Sequence, residues 1–320
     1  METVEIKKLA ERVKQNISLV IVGKDQIIDY LLIALITSSH VLLEDVPGTG
    51  KTLLAKAMAK SLNASFKRVQ FTPDLLPSDL TGINFFNQKQ SEFEFRPGPV
   101  FCNILLADEI NRATPRSQSS LLECMEERQV SIDGETRKLD NPFIVIATQN
   151  PIENQGTFPL PEAQLDRFLL KVRMGYPTTA ESVEIMKRFK QSNPLDLIES
   201  VVGVQELIAA QQAYSLVKVD SSIYDYIVAI VEKTRTHADI SFGVSPRGAQ
   251  ALLKAVQVYA ILQGRDYVIP DDVKAMVKPV FGHRMIPRSL NRMKEDTVLN
   301  IIDLILNQVP VPTEEQLVKG

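Results

Sequence analysis

The stretch Glu44-Asp45-Val46-Pro47-Gly48-Thr49-Gly50-Lys51-Thr52 has the composition that a triphosphate requires. Glycines let backbone N–H groups close in on phosphate oxygens at the positive end of the helix that follows. Lys51 would reach the β and γ phosphates, and the Thr52 hydroxyl would ligate magnesium. A strict G-x-x-x-x-G-K-T loop has glycine where this chain has Asp45, so the pattern is one glycine short. A second constellation supplies what the loop lacks. Ile104-Leu105-Leu106-Ala107-Asp108-Glu109 is an apolar run that ends in two carboxylates. Asp108 would hold the magnesium shell, and Glu109 would activate the attacking water. A third run, 143–148, ends in Gln149 and Asn150, whose amides can hold that water in line without adding charge. Arg167 and Arg247 would supply positive charge beyond that of lysine and magnesium.

These groups need a scaffold that brings strand ends together. Four short runs rich in Ile, Leu and Val, at 40–46, 103–108, 143–148 and 168–172, alternate with helical or turn-rich sequence. That alternation predicts a parallel sheet with helices on both faces and ligands at the carboxyl ends of its strands. Val4, Leu9, Val13 and Ile17 predict an amphipathic first helix, and a break at Gly23 precedes a second helix with apolar residues from Ile27 to Ile36. Lys51 to Leu62 predicts the helix after the loop. Hairpins are expected at 83–95, around Gln88–Ser91, and at 129–139, around Asp133–Gly134. In the first, Phe85, Phe93 and Phe95 alternate with polar residues and predict one apolar face. After Gly175 the strand signals fade into predicted helices at 179–191, 203–215, 220–236, 245–263, 270–278 and 294–307. Residues 1–175 therefore read as a nucleotide-binding α/β domain and 176–320 as a smaller, all-helical domain.

The 320 residues, 44% apolar and 23% charged, suit a soluble two-domain protein, and a charge of −3 gives no global attraction for nucleic acid. Cys102 and Cys124 read as free thiols of a reducing cytosol, and His40, His237 and His283 stand too far apart in sequence to suggest a zinc site. The N-terminus alternates acids and bases, unlike a signal peptide, and no apolar run is long enough to span a bilayer. A cytoplasmic location is expected. The richest basic stretch, Arg284, Arg288, Arg292 and Lys294, has no interleaved aromatics and reads as a solvated face or a subunit contact.

The motifs LLEDVPGTGKT, LLPSDLTG, EFRPGPVF, LLADEINRA, ATQNPIENQGTFPLPEAQLDRF and SPRGAQALL resemble those of the MoxR family of AAA+ ATPases over nearly the whole chain. The departure at Asp45 is familiar in that family. The resemblance implies magnesium-dependent ATP hydrolysis and an α/β AAA+ domain followed by a helical lid. It assigns Lys51 and Thr52 to Walker A, with Pro47, Gly48, Thr49, Gly50 and Leu53 around the nucleotide, and Asp108 and Glu109 to Walker B. Asn150 would be sensor 1, Arg167 the arginine finger and Arg247 sensor 2, while Val22 and Gly23 would pass the adenine. The two hairpins would be the helix-2 insert and the hairpin before sensor 1. A ring hexamer and a protein client, among them von Willebrand factor A domain proteins, are implied as partners. A nucleic-acid motor or loader and a magnesium chelatase-like motor subunit are the alternatives.

Overall fold

The computed structural model describes residues 1–46, 48–151, 156–191, 193–288 and 295–312. Pro47, Arg292 and Lys294, named above, lie outside the described residues. Five strands, β1 (His40–Glu44), β2 (Phe66–Gln70), β3 (Ile104–Asp108), β4 (Ile144–Gln149) and β5 (Phe168–Val172), form one sheet in the order β2-β3-β4-β1-β5. Every pairing in it is parallel. The central strands read as continuous apolar runs because both faces are covered. Val41, Leu43, Ile104, Leu106, Ile144 and Ile146 join one core, and Leu42, Leu105, Ala107, Val145 and Ala147 join the other. The register pairs Glu44 with Gln149 and Gln70 with Asp108, so the strands end level at one edge of the sheet.

Strand β2 has no counterpart in the sequence reading. It lies at the sheet edge, where Lys67, Arg68 and Gln70 are exposed and only Val69 is buried, so no apolar run marks it. The first helix, Thr3–Ser18, buries Ile6, Leu9, Val13 and Ile17, whereas Val4 is 57% exposed; the apolar stripe begins at Ile6. Both expected hairpins form, as Gly82–Asn87 with Glu92–Pro97 and as Gln129–Ile132 with Glu135–Lys138. In the first, Phe86 faces Phe93 with ring centroids 5.4 Å apart, while Phe85 pairs with Glu94. Alternation along a strand therefore puts Phe86, Phe93 and Phe95 on one face and Phe85 on the other, which corrects the expected face. Asn84 Nδ2 donates to Asp133 Oδ2 at 2.8 Å and ties the two hairpins together.

A helical lid region follows, with helices Thr179–Gln191, Val204–Ala213, Ser221–Thr236, Pro246–Leu262, Pro270–Phe281 and Glu295–Gln308. The expected all-helical character is broken by a short antiparallel pair, Ile240–Phe242 with Ile286–Pro287. One apolar core runs from the first two helices across a face of the sheet and into the lid helices, through Ile223, Ile230, Leu252, Val256 and Val277. Helix Pro246–Leu262 packs on helices Thr3–Ser18 and Asp25–Ile36. The lid therefore packs on the first two helices through Val204–Ala213 and Pro246–Leu262, and on β5 through Pro270–Phe281.

Arg284 corrects another expectation. It is not part of a solvated face: its side chain is 3% exposed and bonds Asp166 Oδ1 through Nε at 2.6 Å. Its terminal nitrogens donate to the carbonyls of Asp166, Phe168, Leu169 and Val280. Burial nevertheless pulls its pKa below the ordinary arginine value, with the Asp166 carboxylate opposing that shift. The result joins the lid to the start of β5, on both sides of Arg167. Arg284→Ala would take from Asp166 its only charged partner among the described residues, leaving it the Ser245 hydroxyl, and would strip a donor from several carbonyls; we expect a loss of about 3–5 kcal/mol in urea unfolding. A loss below about 1 kcal/mol would show that water replaces the guanidinium.

Candidate active site

The loop after β1 turns through left-handed glycines. Gly48 has φ +85° and Gly50 φ +93°, values that a side chain would strain. Gly50 caps helix Lys51–Ser61 with no side-chain hydrogen bond, so backbone N–H groups stand at the helix start. Lys51 Nζ donates to the carbonyls of Asp45 at 2.8 Å and Val46 at 3.3 Å. Burial lowers the Lys51 pKa, and the carboxylates of Asp45, Asp108 and Glu109 oppose that shift. Asp45, where a strict loop has glycine, is buried and works as a tie. Its Oδ2 accepts from the Gly175 N–H at 2.9 Å and its Oδ1 from the Val46 N–H at 2.7 Å.

The two carboxylates at the end of β3 are held by different neighbours. Thr148 donates its hydroxyl to Asp108 Oδ1 at 2.6 Å, and Arg68 reaches Asp108 Oδ2 with Nε at 3.1 Å and Nη2 at 2.7 Å. Glu109 adopts φ +56°, an uncommon conformation for this residue that lifts its side chain out of the strand direction. Its backbone N–H donates to Thr148 Oγ1 at 2.8 Å. Its Oε2 accepts from Gln70 at 2.7 Å and from Arg112 at 2.9 Å. Asn150 is buried, one residue past β4.

These groups converge on one cleft of about 590 Å³, a size ordinary for a ligand site. Gly48, Gly50, Lys51, Thr52, Leu53, Asp108, Glu109 and Asn150 line it. Thr52 and Asp108 both face it, and a hydroxyl beside a carboxylate is the hard-oxygen set that magnesium takes together with phosphate oxygens. Those two residues fit the ion.

Four expected residues lie elsewhere. Val22 and Gly23 are not among the lining; Gly23 instead backs onto Glu181, where a Cβ would clash. Arg247 sits in the first turn of helix Pro246–Leu262, capped by Ser245, whose Oγ accepts from the Gly248 N–H at 3.1 Å. Its guanidinium grips Glu126 with Nη2 at 2.8 Å and Nη1 at 3.4 Å. Arg167 approaches the same carboxylate through Nε at 3.7 Å, and its terminal nitrogens have no partner among the described residues. Arg167, Arg247, Glu126, Lys254 and Arg284 line a second cleft of about 230 Å³ that shares no lining residue with the first.

The sequence reading missed Arg68, Gln70, Arg112, Glu126 and Thr148. Thr148 was detectable as a lone hydroxyl at the end of an apolar run. Arg112 reaches Glu109 locally, three residues on, across the turn Ile110–Arg112, whereas Arg68, Gln70 and Glu126 come into place only through the register of β2 and the path of helix Pro115–Glu127. Cys102 and Cys124 are buried free thiols pushed up to about 12 by burial, so neither serves as a thiolate. Among the described residues no cluster of His, Cys, Asp or Glu could hold a metal by itself.

Residues 40–170 match the ATPase family associated with various cellular activities (AAA), and residues 232–302 match the AAA lid domain. The chain is 40% identical to Chaperone MoxR1 of Mycobacterium tuberculosis, over 94% of this chain and 82% of that protein. It is 30% identical to MoxR of Methylorubrum extorquens over 95% of each, and 49% identical to the uncharacterized protein YeaC of Bacillus subtilis over 98% of each. A crystal structure from Cytophaga hutchinsonii, of a candidate ATPase, superposes with a TM-score of 0.90 at 38% identity over 97% of each chain.

The tie made by Asp45 gives a direct test of the loop's construction. Asp45→Ala removes a charged acceptor from two backbone donors, and we expect urea unfolding to show a loss of about 1–3 kcal/mol. An unchanged midpoint would mean that the Gly175 contact does not secure the loop.

Proposed function

Because the chain belongs to the MoxR family of AAA ATPases, we propose that it hydrolyses magnesium-ATP in an assembly of copies and uses the cycle to remodel or activate a protein client. The observation that carries this reading is the pair of separate clefts. One has every group needed to bind a triphosphate and activate water; the other has the arginines that phosphoryl transfer needs. An active site completed between neighbouring copies uses both.

In this reading the N–H groups at Gly48–Thr52 and the Lys51 ammonium bind the β and γ phosphates. Thr52 and Asp108 would hold magnesium, which neutralises charge on the phosphate oxygens when bound. Glu109, aimed by Gln70 and Arg112, takes the proton of the attacking water, and Asn150 orients that water. Arg167 and Arg247 meet the phosphates of the neighbouring copy. A boundary near 175 between nucleotide domain and lid is supported by the end of the sheet at Val172.

Likeness to Chaperone MoxR1 supports a protein client. A ring of six copies and a client of the von Willebrand factor A type are what the family likeness suggests. Among the described residues no helix is long and apolar enough to cross a membrane. A nucleic-acid motor is disfavoured by the burial of Arg284, which removes the first member of the basic stretch from the surface. A magnesium-chelatase role rests on a weaker likeness, 27% identity over 62% of this chain to the magnesium-chelatase subunit ChlI homolog of Methanocaldococcus jannaschii.

Two variants separate binding from chemistry. Lys51→Ala should lose nucleotide affinity, because the ammonium contacts phosphates in the ground state. Glu109→Gln should bind normally and lose hydrolysis by on the order of a hundredfold or more. Nucleotide titration and phosphate release measure the two effects. Equal loss of binding in both variants would contradict the assigned roles.

A further inference from the structure

The phosphate loop accounts for one end of the cleft and leaves an apolar wall unexplained. That wall is Leu53, Phe189 and Leu195, with Asn193 between the last two in sequence and beside them in the lining. Phe189 lies near the end of helix Thr179–Gln191 and is 50% exposed. One turn earlier Met186 is 65% exposed, so the apolar stripe continues beyond the cleft instead of turning into the core. A half-exposed phenylalanine beside a phosphate site is costly to leave in water, and a nucleotide brings one group that suits it, a flat aromatic base. Asn193 adds polarity in the right place. Its Oδ1 accepts from the Leu195 N–H at 3.2 Å, which leaves the amide N–H groups to donate.

We propose that Phe189 is the base-stacking residue of the nucleotide site, with the Asn193 amide donating to a ring nitrogen of the purine. This rests on the reading of the cleft as an ATP site and deepens it. It adds the first lid helix, at Phe189, to the surface that meets the base. Stacking makes that helix a part of the ligand's binding surface, so nucleotide arrival would pull on the segment that starts next to Gly175. The Asp45–Gly175 bond joins the phosphate loop to the same segment. Phosphates and base therefore act on one junction from two sides.

The test separates base from phosphates. ADP, which is not hydrolysed, and pyrophosphate, which has no base, are titrated calorimetrically into wild type and Phe189→Ala with magnesium. Removing an aromatic stacking partner weakens binding between about fivefold and about a hundredfold. The proposal predicts that loss for ADP and no change for pyrophosphate, with Phe189→Tyr restoring ADP affinity. The chain has no tryptophan, so Phe189→Trp places a single reporter in the cleft. Its fluorescence should change with ADP and stay constant with pyrophosphate. Equal ADP affinity in wild type and Phe189→Ala would overturn the proposal while leaving the ATP site intact. A parallel loss for pyrophosphate would assign Phe189 to loop support and overturn it as well. Absence of ADP binding to wild type would remove the ATP reading itself, and the proposal with it.

Discussion

Two adjacent carboxylates at the end of a buried strand need hydrogen-bond donors in place of the water they give up, and the arrangement around Asp108 and Glu109 is organised by that requirement. Thr148 serves both, accepting from the Glu109 N–H and donating to Asp108. Arg68 takes the other side of Asp108, while Gln70 and Arg112 take Glu109. Three strands have to end level for this to happen. Parallel pairing of β2, β3 and β4 in the observed register brings Gln70, Asp108 and Thr148 to one edge. The apolar packing of both sheet faces is what holds that register, because a slip by one residue would turn every buried side chain to the wrong face.

The arginines obey a different constraint. Arg167 and Arg247 converge on Glu126, with side chains between 30% and 52% exposed. Ion pairs of this exposure contribute about 0–1 kcal/mol, so Glu126 is a weak counter-ion that a phosphate of higher charge can displace. Arg284, by contrast, is built in. It hydrogen-bonds the carbonyls on both sides of Arg167, so the backbone that presents Arg167 is pinned while its guanidinium is held only by the weak Glu126 pair. A firm base under a loosely held cation is what the proposed action of Arg167 on a neighbour's phosphates would require.

Much of this was legible in the sequence because it rests on local chemistry. The glycine loop, the apolar strand that leads into Asp108 and Glu109, and the strand that leads into Asn150 each carry their signal within a few residues. Strand β2 was not legible, since an edge strand with Lys67 and Arg68 has no apolar run, and with it went Gln70 and Arg68 as neighbours of the carboxylates. Phe85 was placed on the wrong hairpin face because alternation fixes which residues share a face only once strand pairing is known. The position of Arg247 was hidden for a similar reason. Its place depends on the lid helices packing on the first two helices and on β5, through side chains that sequence alone reads simply as amphipathic helices.

The central claim is that one copy supplies the nucleotide cleft and its neighbour the arginines. Mixing Arg167→Ala with Lys51→Ala tests it most directly, because the first keeps an intact cleft and the second an intact arginine. Each variant alone should release phosphate on the order of a thousandfold more slowly than wild type, or slower still. Mixtures in which subunit exchange has been verified should regain part of the rate, with a maximum at intermediate ratios. Exchange without recovery at any ratio, or full activity of Arg167→Ala alone, would contradict the account.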